Sequence, residues 1–256
     1  MIRPGLCSVT FRELAAAEVV RRAAAAGLAC IEWGGDVHVP AGDIDAARRV
    51  RALTESAGLE VASYGSYLRF VGPEVEVAAQ ARDVLLSAEA LGAPRIRVWA
   101  GEAGSASTSP EERAEIVHRI RKVADAAAAR GIDLGLEFHG GTLTDEISST
   151  LALLAEIGHE AVWTYWQPHQ SQPTEEALAT LRAALAQVST VHVFSWWPGG
   201  ERLALAERED LWTEAFGILA AEGKDHDALL EFVPGDDPEL LDREAMTLRS
   251  WLGLEG

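Results

Sequence analysis

Short apolar runs alternate with longer amphipathic segments along the whole chain. The amphipathic segments carry apolar residues at helical spacing, as in Arg12–Ala26, Ile44–Ala57 and Val75–Leu91, and this spacing predicts helices. The apolar runs predict eight buried strands, at Gly5–Val9, Ala29–Trp33, Leu59–Tyr64, Arg95–Trp99, Asp133–Glu137, Val162–Trp166, Val191–Phe194 and Leu229–Phe232. Strands and helices are therefore expected to alternate from one end of the chain to the other.

The helix ends have their own signals. Ser109 precedes Pro110, Glu111 and Glu112, which is typical of an N-cap followed by a first helical turn. Pro173–Glu176 and Asp237–Glu239 predict helix starts before the sixth and eighth helices. Glycines follow the predicted helices at the position where a left-handed residue commonly ends a helix, at Gly27, Gly58, Gly92 and Gly131.

Eight βα units in about 250 residues predict an α/β protein with a closed (β/α)8 TIM barrel. We expect residues 1–256 to form a single barrel domain, because no Pro/Ser-rich linker divides them. A doubly wound open sheet is the alternative. It is disfavoured because the turn after the first strand, Gly5–Thr10, lacks the glycine pattern that binds a pyrophosphate.

The net charge of the chain limits the classes of partner that it can bind. It has 22 Lys+Arg against 40 Asp+Glu and a formal net charge of −18. Binding to nucleic acid or to an anionic membrane is disfavoured, because both need a cationic surface. The first residues lack the pattern of a signal peptide, and Cys7 and Cys30 lie in apolar contexts that favour reduced thiols. We therefore expect a cytoplasmic protein.

Two common kinds of active site are disfavoured. Lysine occurs only as Lys122, within a predicted helix, and Lys224, which precedes the eighth strand. A Schiff-base lysine at the catalytic face is therefore not expected. The chain also lacks the G-x-S-x-G and H-E-x-x-H motifs of serine hydrolases and zinc proteases.

Carboxylates end two otherwise apolar strands, in Leu-Gly-Leu-Glu137 and Leu-Leu-Glu231. In a TIM barrel the chemistry lies at the carboxyl ends of the strands. A buried carboxylate is costly unless it is paired, protonated or bound to a cation. Either Glu alone could be the partner in a structural ion pair. Both together, with His and Gln at the intervening strand ends, predict a set of oxygen and nitrogen ligands for a cation.

Tryptophans cluster near the same strand ends. Six of the eight lie at or beside predicted strands: Trp33, Trp99, Trp163, Trp166, Trp196 and Trp197. Trp163 lies early in its strand and is interpreted as core packing. The others predict a flat apolar mouth, which suits a sugar ring that stacks on aromatic side chains.

The chain resembles the xylose isomerase-like TIM-barrel superfamily, the sugar phosphate isomerase/epimerase group. The resemblance rests on Gly-Leu-Ala-Cys-Ile-Glu-Trp around Glu32, Leu-Gly-Leu-Glu-Phe-His around Glu137, Val-His-Val-Phe-Ser around His192 and Leu-Glu-Phe around Glu231. It implies a divalent metal ion held by Glu137, a residue within 166–169, His192 and Glu231. The ion expected is manganese, magnesium or cobalt, with zinc as an alternative.

The second ligand departs from the family pattern, which has an Asp there. Gln167 is the best substitute, because its amide oxygen can coordinate a cation, and His169 is the alternative. The ligand set then lacks one negative charge. We therefore predict weaker or differently selective metal binding than in relatives with Asp.

The resemblance implies an isomerase or epimerase that acts on a keto sugar through an enediolate, with Glu137 and Glu231 as catalytic acid and base. It also allows a homo-oligomer. Residues near the strand ends are candidate contacts for the sugar: Trp33, His38, Tyr64, Arg69, Trp99, His139, His169, Trp196 and Arg202.

Other activities fit the same residue types. Elimination, as in an inosose dehydratase or a keto-glycoside lyase, differs only in the fate of the carbanion. A catalytically silent sugar-binding relative is a further alternative, since the usual Asp is missing. DNA repair of the endonuclease IV type is disfavoured by the acidic charge and by a His/Asp/Glu set too poor for three zinc ions.

Overall fold

Each strand pairs in parallel with the next along the chain, and the first closes against the last, in a computed structural model that describes residues 1–254. The closed barrel confirms the predicted (β/α)8 fold. Its strands are β1 Ile2–Cys7, β2 Cys30–Gly34, β3 Glu60–Gly65, β4 Arg95–Val98, β5 Asp133–Glu137, β6 Val162–Trp166, β7 Val188–Val193 and β8 His226–Leu230.

Within residues 1–254 an α-helix follows each strand and covers the outside of the barrel. The helices are α1 Ala16–Ala25, α2 Ile44–Ser56, α3 Glu74–Leu91, α4 Pro110–Ala128, α5 Ile147–Ile157, α6 Thr174–Ala184, α7 Glu209–Glu222 and α8 Leu241–Trp251. Their apolar faces pack on the outward-facing strand residues and form the main hydrophobic core. None of the helices in this described part is long and apolar enough to cross a membrane.

Local signals explain where the helices begin. Ser109 and Glu112 form the expected capping box at the start of α4. The first helix begins later than the predicted Arg12, because Ser8–Phe11 forms a single 3-10 turn directly after β1. Asp237 caps a separate 3-10 turn, so α8 begins at Leu241.

β1, β7 and β8 begin earlier than their apolar residues predict. Their first residues include polar ones that form a layer inside the barrel, together with Arg95 at the start of β4. Arg3 Nε donates to Asp227 Oδ1 at 2.8 Å, which links β1 to β8. Arg95 Nη1 donates to Thr190 Oγ1 at 2.9 Å, which links β4 to β7. These polar residues lie at the amino ends of the strands, opposite the end where catalytic residues are expected.

The two-residue period of each strand sets which side chains enter the barrel. In β5 it directs Asp133, Gly135 and Glu137 inward. An added Cβ at Gly135 would lie 2.2 Å from the ring of Tyr165 on β6, so the glycine makes room for that ring. The same period continues past β8 to Glu231 at the mouth.

Candidate active site

Four buried side chains meet where β5, β6, β7 and β8 end. Nδ1 of His192 lies 3.0 Å from Oε1 of Gln167, 3.5 Å from Oε2 of Glu231 and 3.8 Å from Oε1 of Glu137. The Gln167 amide nitrogen also donates to Glu137 Oε1 at 3.3 Å. The structure therefore brings together all four residues that the sequence predicts as metal ligands.

The spacing of these atoms is slightly wider than that of ligands around one small cation. Metal–ligand distances near 2.1 Å put neighbouring ligand atoms about 3.0 to 3.4 Å apart in octahedral or tetrahedral shells. The separations around His192 Nδ1 run from 3.0 to 3.8 Å. The potential ligand atoms of Glu137, His192 and Glu231 all lie within 4.8 Å of one another. Oxygen donors with one imidazole suit magnesium, manganese or zinc.

A buried arginine, which sequence reasoning missed, lies beside this cluster. Arg97 on β4 is 3% exposed, and its Nη1 lies 3.0 Å from Glu137 Oε2. The indole nitrogen of Trp99 donates to the same oxygen. With Gln167 on the other oxygen, Glu137 is held by three groups and is fixed in place.

Glu32 on β2 is the second residue that sequence reasoning left out of the site. It is buried, and its Oε2 accepts a 2.6 Å hydrogen bond from Ser63. Its Oε1 lies 3.5 Å from Arg97 Nε and 3.6 Å from His192 Nε2. Both missed residues carried a signal, since each is a charged residue between apolar neighbours inside a strand: Ile31-Glu32-Trp33 and Ile96-Arg97-Val98.

The buried charges perturb the pKa values of the carboxyl groups in opposite directions. Burial favours the neutral form of every carboxyl group here. For Glu32 and Glu137 it is outweighed, chiefly by His192 and by Arg97 respectively, so the pKa of Glu32 falls to about 2 and that of Glu137 is lowered. Burial dominates at Glu231, with Glu137 adding to it, and raises its pKa to about 7.

His192 is fully buried, and burial disfavours its charged form. The Cys7 sulfur and the carboxylates of Glu231 and Glu32 outweigh that effect and raise its pKa well above the usual value. The negative groups around His192 therefore favour a positive charge at the position of its ring.

A cavity of about 460 Å³ opens over the cluster and reaches Glu137, Gln167 and Glu231. Aromatic rings form much of its wall: Tyr67, Trp99, Phe194, Trp196 and Phe232. Of the tryptophans predicted at the mouth, Trp99 and Trp196 line the cavity, whereas Trp33, Trp166 and Trp197 do not. Arg12 and Arg97 also line it. The cavity thus combines flat apolar walls with polar groups at its base.

Four of the predicted sugar contacts line this cavity: Trp99, His139, His169 and Trp196. The His139 ring stacks on Trp99 with centroids 4.6 Å apart, and its Nδ1 lies 2.7 Å from the Gly140 carbonyl oxygen. His169 Nε2 lies 2.7 Å from the Asp145 carbonyl oxygen. Within residues 1–254 the other ring nitrogen of each imidazole makes no hydrogen bond.

Two predicted arginine contacts lie behind the wall residues. The Arg69 guanidinium stacks on Trp99 at 3.9 Å from the ring centroid. The Arg202 guanidinium lies 4.2 Å from the centroid of Phe232 and pairs with Asp236. Both hold an aromatic wall in place, and neither borders the cavity directly.

The structure places the other three predicted contacts in the core. Trp33 is fully buried, and its indole nitrogen donates to Thr54 of α2. Tyr64 is also fully buried, and its hydroxyl donates to a backbone carbonyl oxygen. Both ring nitrogens of His38 are hydrogen-bonded, and burial lowers its pKa. These three side chains support the strand ends and do not border the cavity.

The fold and the cluster define a (β/α)8 barrel with a buried carboxylate, amide and imidazole centre at the carboxyl ends of its strands. The family model of the xylose isomerase-like TIM barrel matches residues 20–251, and the chain belongs to this family. The match confirms the resemblance found in the sequence.

Two of the proteins that this chain is similar to carry the name of a dehydratase. The chain is 30% identical over 165 residues to a 3-dehydroshikimate dehydratase from Bacillus anthracis, a match that covers 60% of this chain and 57% of the relative. The match thus spans little more than half of that protein. A crystal structure of a probable 3-DHS dehydratase from the same organism superposes with a TM-score of 0.74 at 21% identity, covering 97% of this chain and 98% of that one.

Two further solved structures share the fold at lower identity. D-psicose 3-epimerase from Clostridium cellulolyticum H10 has a TM-score of 0.74 at 16% identity and covers 99% of this chain and 100% of its own. A xylose isomerase-like TIM-barrel protein from Mycobacterium smegmatis, solved in complex with magnesium, has a TM-score of 0.71 at 14% identity, covering 99% and 98%. At these identities the similarity establishes the fold.

Proposed function

We propose that this chain is a divalent-metal-dependent lyase that removes water from a small polyhydroxylated carbonyl compound. One observation carries the proposal: Glu137, Gln167, His192 and Glu231 converge at the base of an aromatic-walled cavity with a spacing close to that of metal ligands. The reaction takes a proton from the carbon beside the carbonyl and expels a hydroxide from the next carbon. The products are an unsaturated carbonyl compound and water.

The four converging residues would hold the cation. The two carboxylates give this set a charge of −2, which a divalent ion balances, and Arg97 offsets Glu32 beside it. A bound divalent cation polarises a carbonyl group and so acidifies the neighbouring C–H bond. The balance of charge and the close spacing support the predicted ligand set, including Gln167.

Glu231 is the better placed of the two carboxylates to remove the proton. Glu137 is held by Arg97, Trp99 and Gln167, so it cannot swing toward a substrate without losing these contacts. Within residues 1–254 no hydrogen bond restrains the side-chain oxygens of Glu231, which border the cavity. We therefore assign the base to Glu231 and a fixed structural and ligating role to Glu137.

His139 is placed to protonate the leaving hydroxide. Its ring lies at the cavity wall against Trp99, and Nδ1–H donates to the Gly140 carbonyl oxygen, so His139 would act in its imidazolium form and transfer the proton carried on Nε2. A base and a separate acid are the groups that an elimination needs. The similarity to a 3-dehydroshikimate dehydratase supports the same reaction class.

Epimerisation or isomerisation of a keto sugar is the second candidate. It is favoured by the two carboxylates beside His192, at 3.5 and 3.8 Å from Nδ1, because such reactions use one group to remove a proton and another to return it. D-psicose 3-epimerase shares the fold. This candidate requires Glu137 to exchange protons despite its three restraints.

The fate of the proton separates these candidates. The protein is loaded with Mn²⁺, Mg²⁺, Co²⁺ or Zn²⁺ and incubated in heavy water with 3-dehydroshikimate and with a panel of keto sugars. We expect the loss of one water from the substrate, detected by mass spectrometry, with an unsaturated carbonyl product from a keto sugar and an aromatic product from 3-dehydroshikimate. We also expect loss of at least about a hundred-fold in rate for Glu231→Gln. The exposed Glu160→Gln is the matched control and is expected to keep full activity.

Two results would contradict the lyase assignment, and a third would contradict the assigned base. Deuterium incorporation with an epimeric or isomeric product supports the second candidate. Metal binding without turnover of any compound supports a silent sugar-binding protein. Full activity of Glu231→Gln contradicts the assignment of the base.

A further inference from the structure

The two nitrogens of His192 face different surroundings. Nδ1 faces Gln167, Glu137 and Glu231, at the base of the cavity. Nε2 faces the barrel interior, is buried and has no hydrogen-bond partner in the described part of the chain. A neutral imidazole that offers one nitrogen to a cation must carry its proton on the other. In this site that proton belongs on Nε2.

Glu32 lies opposite this nitrogen. Its Oε1 is 3.6 Å from His192 Nε2, across the barrel from β7. The carboxylate is held from its other side by Ser63, whose hydroxyl donates to Oε2 at 2.6 Å. A buried carboxylate loses its solvation by water and needs partners that compensate for the loss. Its partners here are Arg97 at 3.5 Å and the proton-bearing side of His192.

We propose that Glu32 is a positioning residue, which keeps the proton of His192 on Nε2 and thereby presents the Nδ1 lone pair to a divalent cation. This inference rests on the proposed function, since it assigns a role toward the cation of that site. Ser63, Glu32 and His192 then form a chain from β3 through β2 to β7. Metal-binding histidines commonly have such a carboxylate partner on the second nitrogen, and it sets both the tautomer and the ring orientation.

The packing of the ring supports the same arrangement. Tyr165 contacts the imidazole edge-on, with centroids 5.3 Å apart and planes at 84°. The ring is fully buried between this tyrosine and the polar groups on either side. Its orientation is therefore fixed by neighbours on three sides, and Glu32 contributes the charge on the interior side.

A second cation on the interior side of the ring is the competing interpretation. Cys7, Glu32 and His192 also offer ligand atoms within 4.8 Å of one another. Arg97 already lies against Glu32 there, however, with its guanidinium enclosed in the barrel. A positive group thus occupies this side, and the geometry favours a proton on Nε2 over a metal ion.

The test compares Glu32→Gln with Cys7→Ala, which alters the other neighbour of Nε2. Affinity of the metal-free protein for Mn²⁺ and Zn²⁺ is measured by titration calorimetry. We expect Glu32→Gln to lower affinity roughly ten- to a hundred-fold and Cys7→Ala to leave it within about two-fold. Far-ultraviolet circular dichroism checks that both variants are folded.

A spectroscopic measurement makes the test independent of activity. In the Zn²⁺-loaded protein with ¹⁵N-labelled histidine, we expect a protonated Nε2 of His192 whose proton resonance lies downfield. In Glu32→Gln that resonance should move upfield or vanish through exchange, and in Cys7→Ala it should persist. Should Glu32→Gln fail to fold, Ser63→Ala, which frees the other carboxylate oxygen, is expected to shift the resonance in the same direction.

The outcomes separate the two proposals. Wild-type protein that binds no divalent cation overturns the proposed function and the role of Glu32 with it. Wild-type protein that binds a cation, together with unchanged affinity and an unchanged Nε2 proton in Glu32→Gln, overturns the positioning role alone. A Zn²⁺ complex of one ion per chain in which Nδ1 carries the proton also overturns it.

Discussion

Replacing Arg97 by methionine removes a buried guanidinium that lies against both Glu32 and Glu137. All three side chains are at most 4% exposed, so water cannot compensate the two carboxylates that remain. Removing one partner of a buried ion pair typically costs about 3–5 kcal/mol. In a chain of this size each kcal/mol lowers the melting temperature by about 2–4 °C, so we expect a decrease of about 6–20 °C.

The assay is thermal and urea unfolding of the metal-free protein. Arg82→Met is the matched control, because Arg82 is 68% exposed and pairs with its neighbour Asp83; its effect should stay within about 0.5 kcal/mol. Adding Glu32→Gln to Arg97→Met removes one uncompensated charge, so the double variant should be more stable than Arg97→Met alone. A loss below about 1 kcal/mol in Arg97→Met would refute the view that both carboxylates are ionised and depend on this arginine.

Other expectations concern single positions. Gln167→Glu adds a charge to the ligand set at constant length and should raise affinity for Mg²⁺ about ten-fold or more in calorimetric titrations; unchanged affinity would contradict a ligand at position 167. Gly65→Ala puts a Cβ 2.9 Å from the buried ion pair and should cost about 1–3 kcal/mol in urea unfolding, whereas Gly200→Ala, with open space around it, should be near neutral. Ser109→Ala breaks the capping box with Glu112 and should lower the free energy of unfolding by about 1 kcal/mol. A loss no larger than that caused by replacing an exposed serine with alanine would argue against the cap.

The barrel could be predicted because its helices and strands differ in period and are marked by caps and glycines. Glu137 and Glu231 could be singled out for a similar reason, since a carboxylate at the end of an apolar strand is conspicuous. Arg97 and Glu32 were missed because an alternating strand shows two faces without showing which one enters the barrel. In Arg95-Ile96-Arg97-Val98 the charged face points inward and the apolar face meets the helices, the reverse of an ordinary half-exposed strand.

The same ambiguity explains the side chains that were expected at the mouth and lie in the core. Trp33 follows the inward-pointing Glu32 by one residue, so it points outward beneath α2. Tyr64 follows the inward Ser63 in the same way. The position of a residue along its strand predicts how close it lies to the mouth of the barrel. Whether its side chain points into the barrel or toward the helices depends on which alternate residues face inward, and the sequence does not reveal this.

The contact of β1 with β8 has a consequence for how the protein is assembled. These strands come from opposite ends of the chain, yet their backbones pair from Ile2 to Leu6. A chain emerging from the ribosome cannot make this pairing until residue 230 is available, and long-range parallel pairings form slowly. Glu231 is the very next residue, so the assigned base arrives with the last strand. Incomplete chains therefore lack both the β1–β8 pairing and the assigned base. The candidate active site is complete only when the barrel has closed.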